Sequence, residues 1–197
     1  MQPKRFPYGK LIFFATGNIN KFNEARGVLA EYGISVAMLK IKTVEIQDDD
    51  IENIAKARAL NALREVNLPL IVEDAGLFID ALKGFPGPFS SYVYKTIGLN
   101  GIIKLLNGVE DRRAHFKSAV VFCDPSGELK CFIGVSNGRI AREPRGSSGF
   151  GFDPIFEPDE RPTKTFGEMG IEEKNLFSHR AKALRRFAEW YRDWSTS

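Results

Sequence analysis

Apolar positions along the chain fall into runs and stripes whose periods identify its elements. Leu11 to Ala15 is an unbroken apolar run that stops at Thr16-Gly17-Asn18, the mark of a buried strand. From Phe22 the spacing changes to threes and fours, through Ala25, Leu29 and Tyr32, and predicts a helix over about 19–32. The same reading gives a strand at about 35–40, a helix at 51–65 and a strand at 69–73 that Glu73-Asp74 ends abruptly. Residues 89–98 and 99–106 read as helices. Residues 114–123 and 129–140 read as the arms of a long β-hairpin, and 142–153 as a loop rich in Gly, Ser and Pro. Leu184, Phe187, Ala188, Tyr191 and Trp194 make one apolar face of a C-terminal helix, with Ser178 placed as its N-cap.

Helices alternating with strands early, and a hairpin later, predict an α/β fold with a mixed sheet. The helical pair at 89–106 is placed to form or cover a second lobe, which would leave a cleft for a ligand. At 197 residues, 43% of them hydrophobic, the chain is expected to be one domain with a sizeable core. Residues 1–10 form a short extension ahead of it.

Charge narrows the chemistry. A formal charge of +3 suits a protein that handles an anion. Basic residues do not cluster beyond pairs such as Arg112-Arg113 and Arg185-Arg186, which argues against a nucleic-acid surface. The opening MQPKRFPYGK has charge but no apolar segment, so no signal peptide is expected. No apolar run approaches bilayer length. Cys123 and Cys131 flank the turn Asp124-Pro125-Ser126-Gly127 and lack a C-x-x-C spacing, so a strand-borne structural role is expected. The expectation is a soluble, reduced, cytoplasmic protein.

Four stretches carry candidate chemistry. Thr16-Gly17-Asn18-x-x-Lys21 sits where a strand hands over to a helix, and a helix N-terminus attracts anions. Gly17 would let the backbone approach a ligand closely. The alternative is an ordinary cap beside a solvated lysine. Glu73-Asp74 puts adjacent carboxylates on opposite faces of a strand, so they are not expected to act as a pair on one ligand. One of them can hold Mg²⁺ or activate water, or the Asp can simply open a turn. Asp48-Asp49-Asp50 reads as charge at a helix start, not as a metal site. In Gly149-Phe150-Gly151-Phe152-Asp153-Pro154 the two rings either plug the core or wall a flat ligand. Lys174, His179 and Arg180 put cationic groups in and just before the first turn of the last helix, which makes sense if an anion or a carbonyl-rich ligand faces them.

Together these segments resemble the inosine triphosphate pyrophosphatase family over about Leu11 to Trp190. The motifs that carry the resemblance are Thr16-Gly-Asn-x-x-Lys21, Glu73-Asp74-x-Gly-Leu77, Gly84-Phe-Pro-Gly87, Gly149-Phe-Gly-Phe-Asp-Pro154, Thr165-Phe-x-Glu-Met169 and Glu173-Lys-Asn-x-x-Ser-His-Arg180. The resemblance implies an elongated mixed β-sheet flanked by helices, in two lobes with a central cleft, and a homodimer. It implies hydrolysis of deaminated purine nucleoside triphosphates (ITP, dITP, XTP) to the monophosphate and pyrophosphate, with Mg²⁺ or Mn²⁺ as a substitute.

Carried over by position, Thr16, Gly17, Asn18, Lys21 and Lys56 would meet the phosphates. Glu45 and Asp74 would hold the metal, and Asp74 would assist water attack. Ala75, Phe150, Gly151, Phe152, Asp153, Lys174, His179 and Arg180 would complete the substrate contacts. Ala75 stands where Thr or Ser is common, which removes a hydroxyl contact. Phe152 stands where Tyr or Trp is common, which keeps stacking and removes a donor. Two other functions fit some of the same features: a Maf-like nucleotide pyrophosphatase of other specificity, and a nucleotide- or RNA-binding module without turnover.

Overall fold

A computed structural model of the protein describes residues 11–43 and 46–194. The 1–10 extension and Glu45 therefore lie outside the described residues. Seven strands form one mixed sheet: β1 (Leu11–Ala15), β2 (Ser35–Leu39), β3 (Leu70–Ile79), β4 (Pro86–Gly87), β5 (Arg113–Cys123), β6 (Leu129–Ile140) and β7 (Phe156–Pro158). Their order is β2-β1-β3-β5-β6-β7, with β4 paired to β3. β1 runs parallel to β2 and β3, and the remaining pairings are antiparallel. The helices are α1 (Ile19–Ala30), α2 (Ile51–Val66), α3 (Ser90–Thr96), α4 (Gly98–Leu105), α5 (Ile171–Asn175) and α6 (His179–Trp194). Elements of the α/β pattern and both hairpin arms fall where the periodicity places them. β4, β7 and α5 are too short to leave a periodic signal.

The core forms on both sides of the sheet. α1 and α6 cover one face with Val28, Leu29, Leu184 and Phe187 against Ile12, Phe14, Ile71 and Phe122. α2 covers the other with Ile51, Ala55, Ala59 and Ala62 against Leu70, Val72, Ala119 and Val121. A third cluster gathers Leu77, Ile79 and Phe116 beneath Val93, Ile102, Phe152, Phe156 and Phe166. Burial of one such side chain contributes about 1.5–3 kcal/mol. Gly134 on β6 brings α6 close: a Cβ there would lie 2.0 Å from the carbonyl oxygen of His179.

One expectation is corrected. β3 does not end at Glu73-Asp74 but continues to Ile79, paired with β5 from Leu70↔Cys123 to Ile79↔Ala114. β5 supplies an uninterrupted ladder along all ten residues of β3. The two carboxylates thus sit inside the sheet, where cations from helices must compensate them. The hairpin register pairs Val121 with Cys131 and Cys123 with Leu129. Both cysteines are free, and burial pushes each thiol up to about 11.

Candidate active site

The β1–α1 junction is built by its own side chains. Asn18 is the N-cap of α1, and its Oδ1 accepts from the amides of Asn20 (2.9 Å) and Lys21 (3.2 Å). Thr16 is buried, and its Oγ1 accepts from the Asn18 amide at 3.1 Å. Several amides expected to face an anion are therefore already used. A Cβ at Gly17 would meet no atom within 4 Å, so the fold itself does not require glycine there. Lys21 is not a solvated lysine: its Nζ lies 2.8 Å from Glu73 Oε2, with the side chain 18% exposed.

Glu73 anchors a buried charge network. It faces the α1–α6 side of the sheet, where Lys21, Arg180 Nε (3.1 Å) and the Ser118 hydroxyl (2.7 Å) meet its carboxylate. Arg180 also pairs with Glu24 Oε2. Glu24 Oε1 accepts from Lys174 Nζ at 2.8 Å, and Lys174 donates to Asp153 Oδ2 at 2.7 Å. Burial pushes the Glu73 and Glu24 carboxyls up, but the adjacent cations outweigh it and hold both below the usual carboxylate range. Three carboxylates and three cations thus balance within one chain of contacts.

This network corrects the picture of Lys174, His179 and Arg180 as cations awaiting an anion. Lys174 and Arg180 are only 2% exposed and already paired, because Glu24 projects among them from α1. His179 is no cation: burial, then Arg180 and Lys174, pull its pKa well below the usual value, so the ring is neutral. It stacks on Phe116 with centroids 4.5 Å apart, and its buried Nδ1 has no hydrogen-bond partner among the described residues. Ser178 does cap α6, its hydroxyl accepting from the Ala181 amide at 3.3 Å.

Asp74 faces the opposite side of β3, toward α2. Its Oδ1 accepts from Arg58 Nη1 at 2.5 Å, while its Oδ2 is buried with no hydrogen-bond partner among the described residues. Burial raises its carboxyl, with Lys21 and Arg58 opposing. A raised carboxyl with one open oxygen suits a group that accepts a proton or meets a cation. Among the described residues no group of three or more His, Cys, Asp or Glu is gathered to hold a metal ion. Mg²⁺ needs only one or two carboxylates when phosphates and waters supply the rest, so the unpartnered Asp74 oxygen is compatible with it. Ala75 follows on β3, on the Glu73 side of the sheet, beside Ser118 on β5. Lys56, on α2, lies within electrostatic range of the Cys131 thiol.

The glycine-rich loop divides its two rings. Phe152 is buried in the third core cluster, with Tyr94 at its edge (5.6 Å between centroids). Phe150 stays half-buried, under Lys174 Nζ at 4.9 Å and the Arg180 guanidinium at 5.3 Å from its centroid. Asp153 holds the loop by accepting from the Phe150 amide at 2.8 Å. A Cβ at Gly149, whose φ is +72°, would fall 2.1 Å from that carboxylate. Gly151 has φ +62° and open space around its missing Cβ. Tyr94 also lines a cavity of about 570 Å³ with Ile97, Leu99 and Pro144. A second cavity, about 510 Å³, is lined by Arg112, Arg139, Arg142 and Arg145.

Lys21, Asp153, Lys174 and Arg180 thus come together on one side of β3, and Asp74 stands next in sequence on the other. Glu24 and Arg58 were missed. Each left a signal: Glu24 lies in the inner stripe of α1 beside Ala25 and Val28, and Arg58 in the Ile51-Ile54-Ala55-Ala59-Ala62 stripe of α2. A charge on an otherwise apolar stripe calls for a buried partner.

Comparison with known proteins identifies the family of the chain. Residues 12–190 match the Ham1 family. A dITP/XTP pyrophosphatase of Methanopyrus kandleri is 53% identical over 92% of this chain and 96% of its own length. One of Thermococcus kodakarensis is 51% identical over 91% and 96%. A HAM1 protein from Coxiella burnetii superposes with a TM-score of 0.81 at 28% identity, covering 93% of this chain and 98% of its own. By family match and by relatives that align along nearly their whole length, the chain belongs to the Ham1 family.

Proposed function

We propose that this protein hydrolyses ITP, dITP and XTP to the nucleoside monophosphate and pyrophosphate, and so clears deaminated purines from the nucleotide pool. The observation that carries this is the Glu73-Asp74 step: one carboxylate is locked to Lys21 and Arg180, and the next keeps a buried oxygen without a hydrogen-bond partner among the described residues. The relatives above are named dITP/XTP pyrophosphatases, which supports this reading.

Lys21 is the least buried cation of the network, and with Thr16, Gly17 and Asn18 it receives the phosphates; Lys56 adds charge from α2. A triphosphate carries about four negative charges, so cations and remaining amides must share them. Asp74, with Glu45, would hold Mg²⁺ or Mn²⁺, which would polarise the phosphate and lower the pKa of a nearby water. From that position Asp74 would orient the water for attack, and the upward pull of burial on its carboxyl favours uptake of a proton.

At the other end Phe150 stacks on the purine, with Gly151 and Ala75 leaving room and Phe152 fixing the loop from below. Lys174 has three donors and Arg180 five; the contacts to Glu24, Glu73 and Asp153 leave some free. Those donors, with neutral His179, meet the oxygen at purine position 6. An amino group there, as in ATP, leaves them unpaired, a mismatch worth up to about 10⁴ in specificity. We further propose that the enzyme works in the cytoplasm as a homodimer. Among the described residues no helix is long and apolar enough to cross a membrane. Turnover of ITP, XTP, ATP and UTP at equal concentration tests the specificity: ITP and XTP should lead, and equal rates on ATP or UTP would overturn it.

A further inference from the structure

The inner stripe of α2 is Ile51, Ala55, Ala59 and Ala62, packed on the sheet, with Ile54 buried beside them, and Arg58 interrupts it. A buried cation here is weak support for stability, because desolvation offsets most of the attraction and an apolar side chain would pack as well. The guanidinium instead joins two segments. Nη1 donates to Asp74 Oδ1 at 2.5 Å, and Nε donates to Thr43 Oγ1 at 3.2 Å. Both Arg58 and Asp74 side chains are about five-sixths buried, at 17% and 16% exposure. Thr43 stands two residues before Glu45 in the chain. A planar fork with fixed donor directions can hold two oxygens at a set separation; an ammonium cannot.

We propose that Arg58 is a positioning residue: it clamps one oxygen of Asp74, leaves the other without a protein partner for the reaction, and ties that carboxylate to Thr43. This rests on the function proposed above. Arg58 touches neither phosphate nor base in this account and acts through Asp74. Its guanidinium also opposes a cation at the same carboxylate, so the clamp trades metal affinity in the free enzyme for geometry.

The test compares the full-length protein with Arg58→Gln and Arg58→Lys, with folding checked by thermal melting. Arg58→Gln should lower kcat for ITP by about 10- to 100-fold, as a misplaced catalytic group does, with KM changed by less than about threefold. Arg58→Lys should fall between that variant and the wild type. Mn²⁺ binding to nucleotide-free protein, read by electron paramagnetic resonance, should tighten about threefold or more in Arg58→Gln, because a neighbouring positive charge is gone. A kcat within about twofold of wild type, a Lys variant no better than Gln, or unchanged Mn²⁺ affinity overturns the proposal. If Arg58→Gln does not fold, Thr43→Val severs one arm alone, and an unchanged kcat there overturns it equally. A wild type that releases no pyrophosphate defeats the proposed function; an active wild type matched by Arg58→Gln defeats only this inference.

Discussion

Replacing Glu24 by Gln probes the charge balance directly. The carboxylate is 4% exposed and binds Lys174 through one oxygen and Arg180 through the other. Gln has nearly the same shape but one acceptor and no charge. If its oxygen serves Arg180, its NH₂ group points donors at the Lys174 ammonium. The network then holds two carboxylates against three cations, two of them buried. Removing one partner of a buried ion pair costs about 3–5 kcal/mol. For a chain of 197 residues that corresponds to a fall in Tm of roughly 6–20 °C. Differential scanning calorimetry at pH 7 measures it. Lys174→Met in the same background should recover part of the loss, with a coupling of about 0.5–3 kcal/mol, because the orphaned cation is gone. A Tm for Glu24→Gln within about 2 °C of wild type would refute the reasoning, since it would mean solvent already screens this cluster.

Other substitutions separate roles. Asp74→Asn keeps the shape and the Arg58 contact but not the proton acceptor, so turnover of ITP should nearly vanish while nucleotide binding, followed by calorimetric titration, persists; near-normal turnover contradicts the assignment. Lys21→Ala should act chiefly on triphosphate binding and raise KM, and unchanged KM and kcat would count against the phosphate cradle. His179 makes stability depend on pH. Its pKa is depressed in the folded protein, so its contribution is complete above about pH 6.5 and is lost as pH falls below it, by about 1.4 kcal/mol per unit until the folded pKa is reached. Urea titrations at pH 7, 6 and 5 should show this slope, and His179→Asn should flatten it.

Much of the architecture was legible because periodicity reports which face of an element is buried. The stripe of Phe22, Ala25 and Leu29 located α1, and Leu184, Phe187 and Tyr191 located α6. Opposite facing of Glu73 and Asp74 followed from strand geometry alone. The length of β3 did not, since charged residues in a strand look like a boundary until their partners are known. Those partners lie 52 positions upstream at Lys21 in one case and 107 downstream at Arg180 in the other, counted from Glu73, and no local pattern links them. The same gap explains why Lys174 and Arg180 read as free cations. The split between Phe152 in the core and Phe150 at the surface depended on Asp153 turning the loop, which the alternation of glycine and phenylalanine does not reveal.

The central claim is that carboxylates and cations on β1–α1, β3 and α6 serve one polyphosphate. Incubation with ITP and Mg²⁺, followed by phosphorus NMR of the products, addresses it most directly. Inosine monophosphate with pyrophosphate is the predicted outcome; inosine diphosphate with orthophosphate, or untouched ITP, would contradict it.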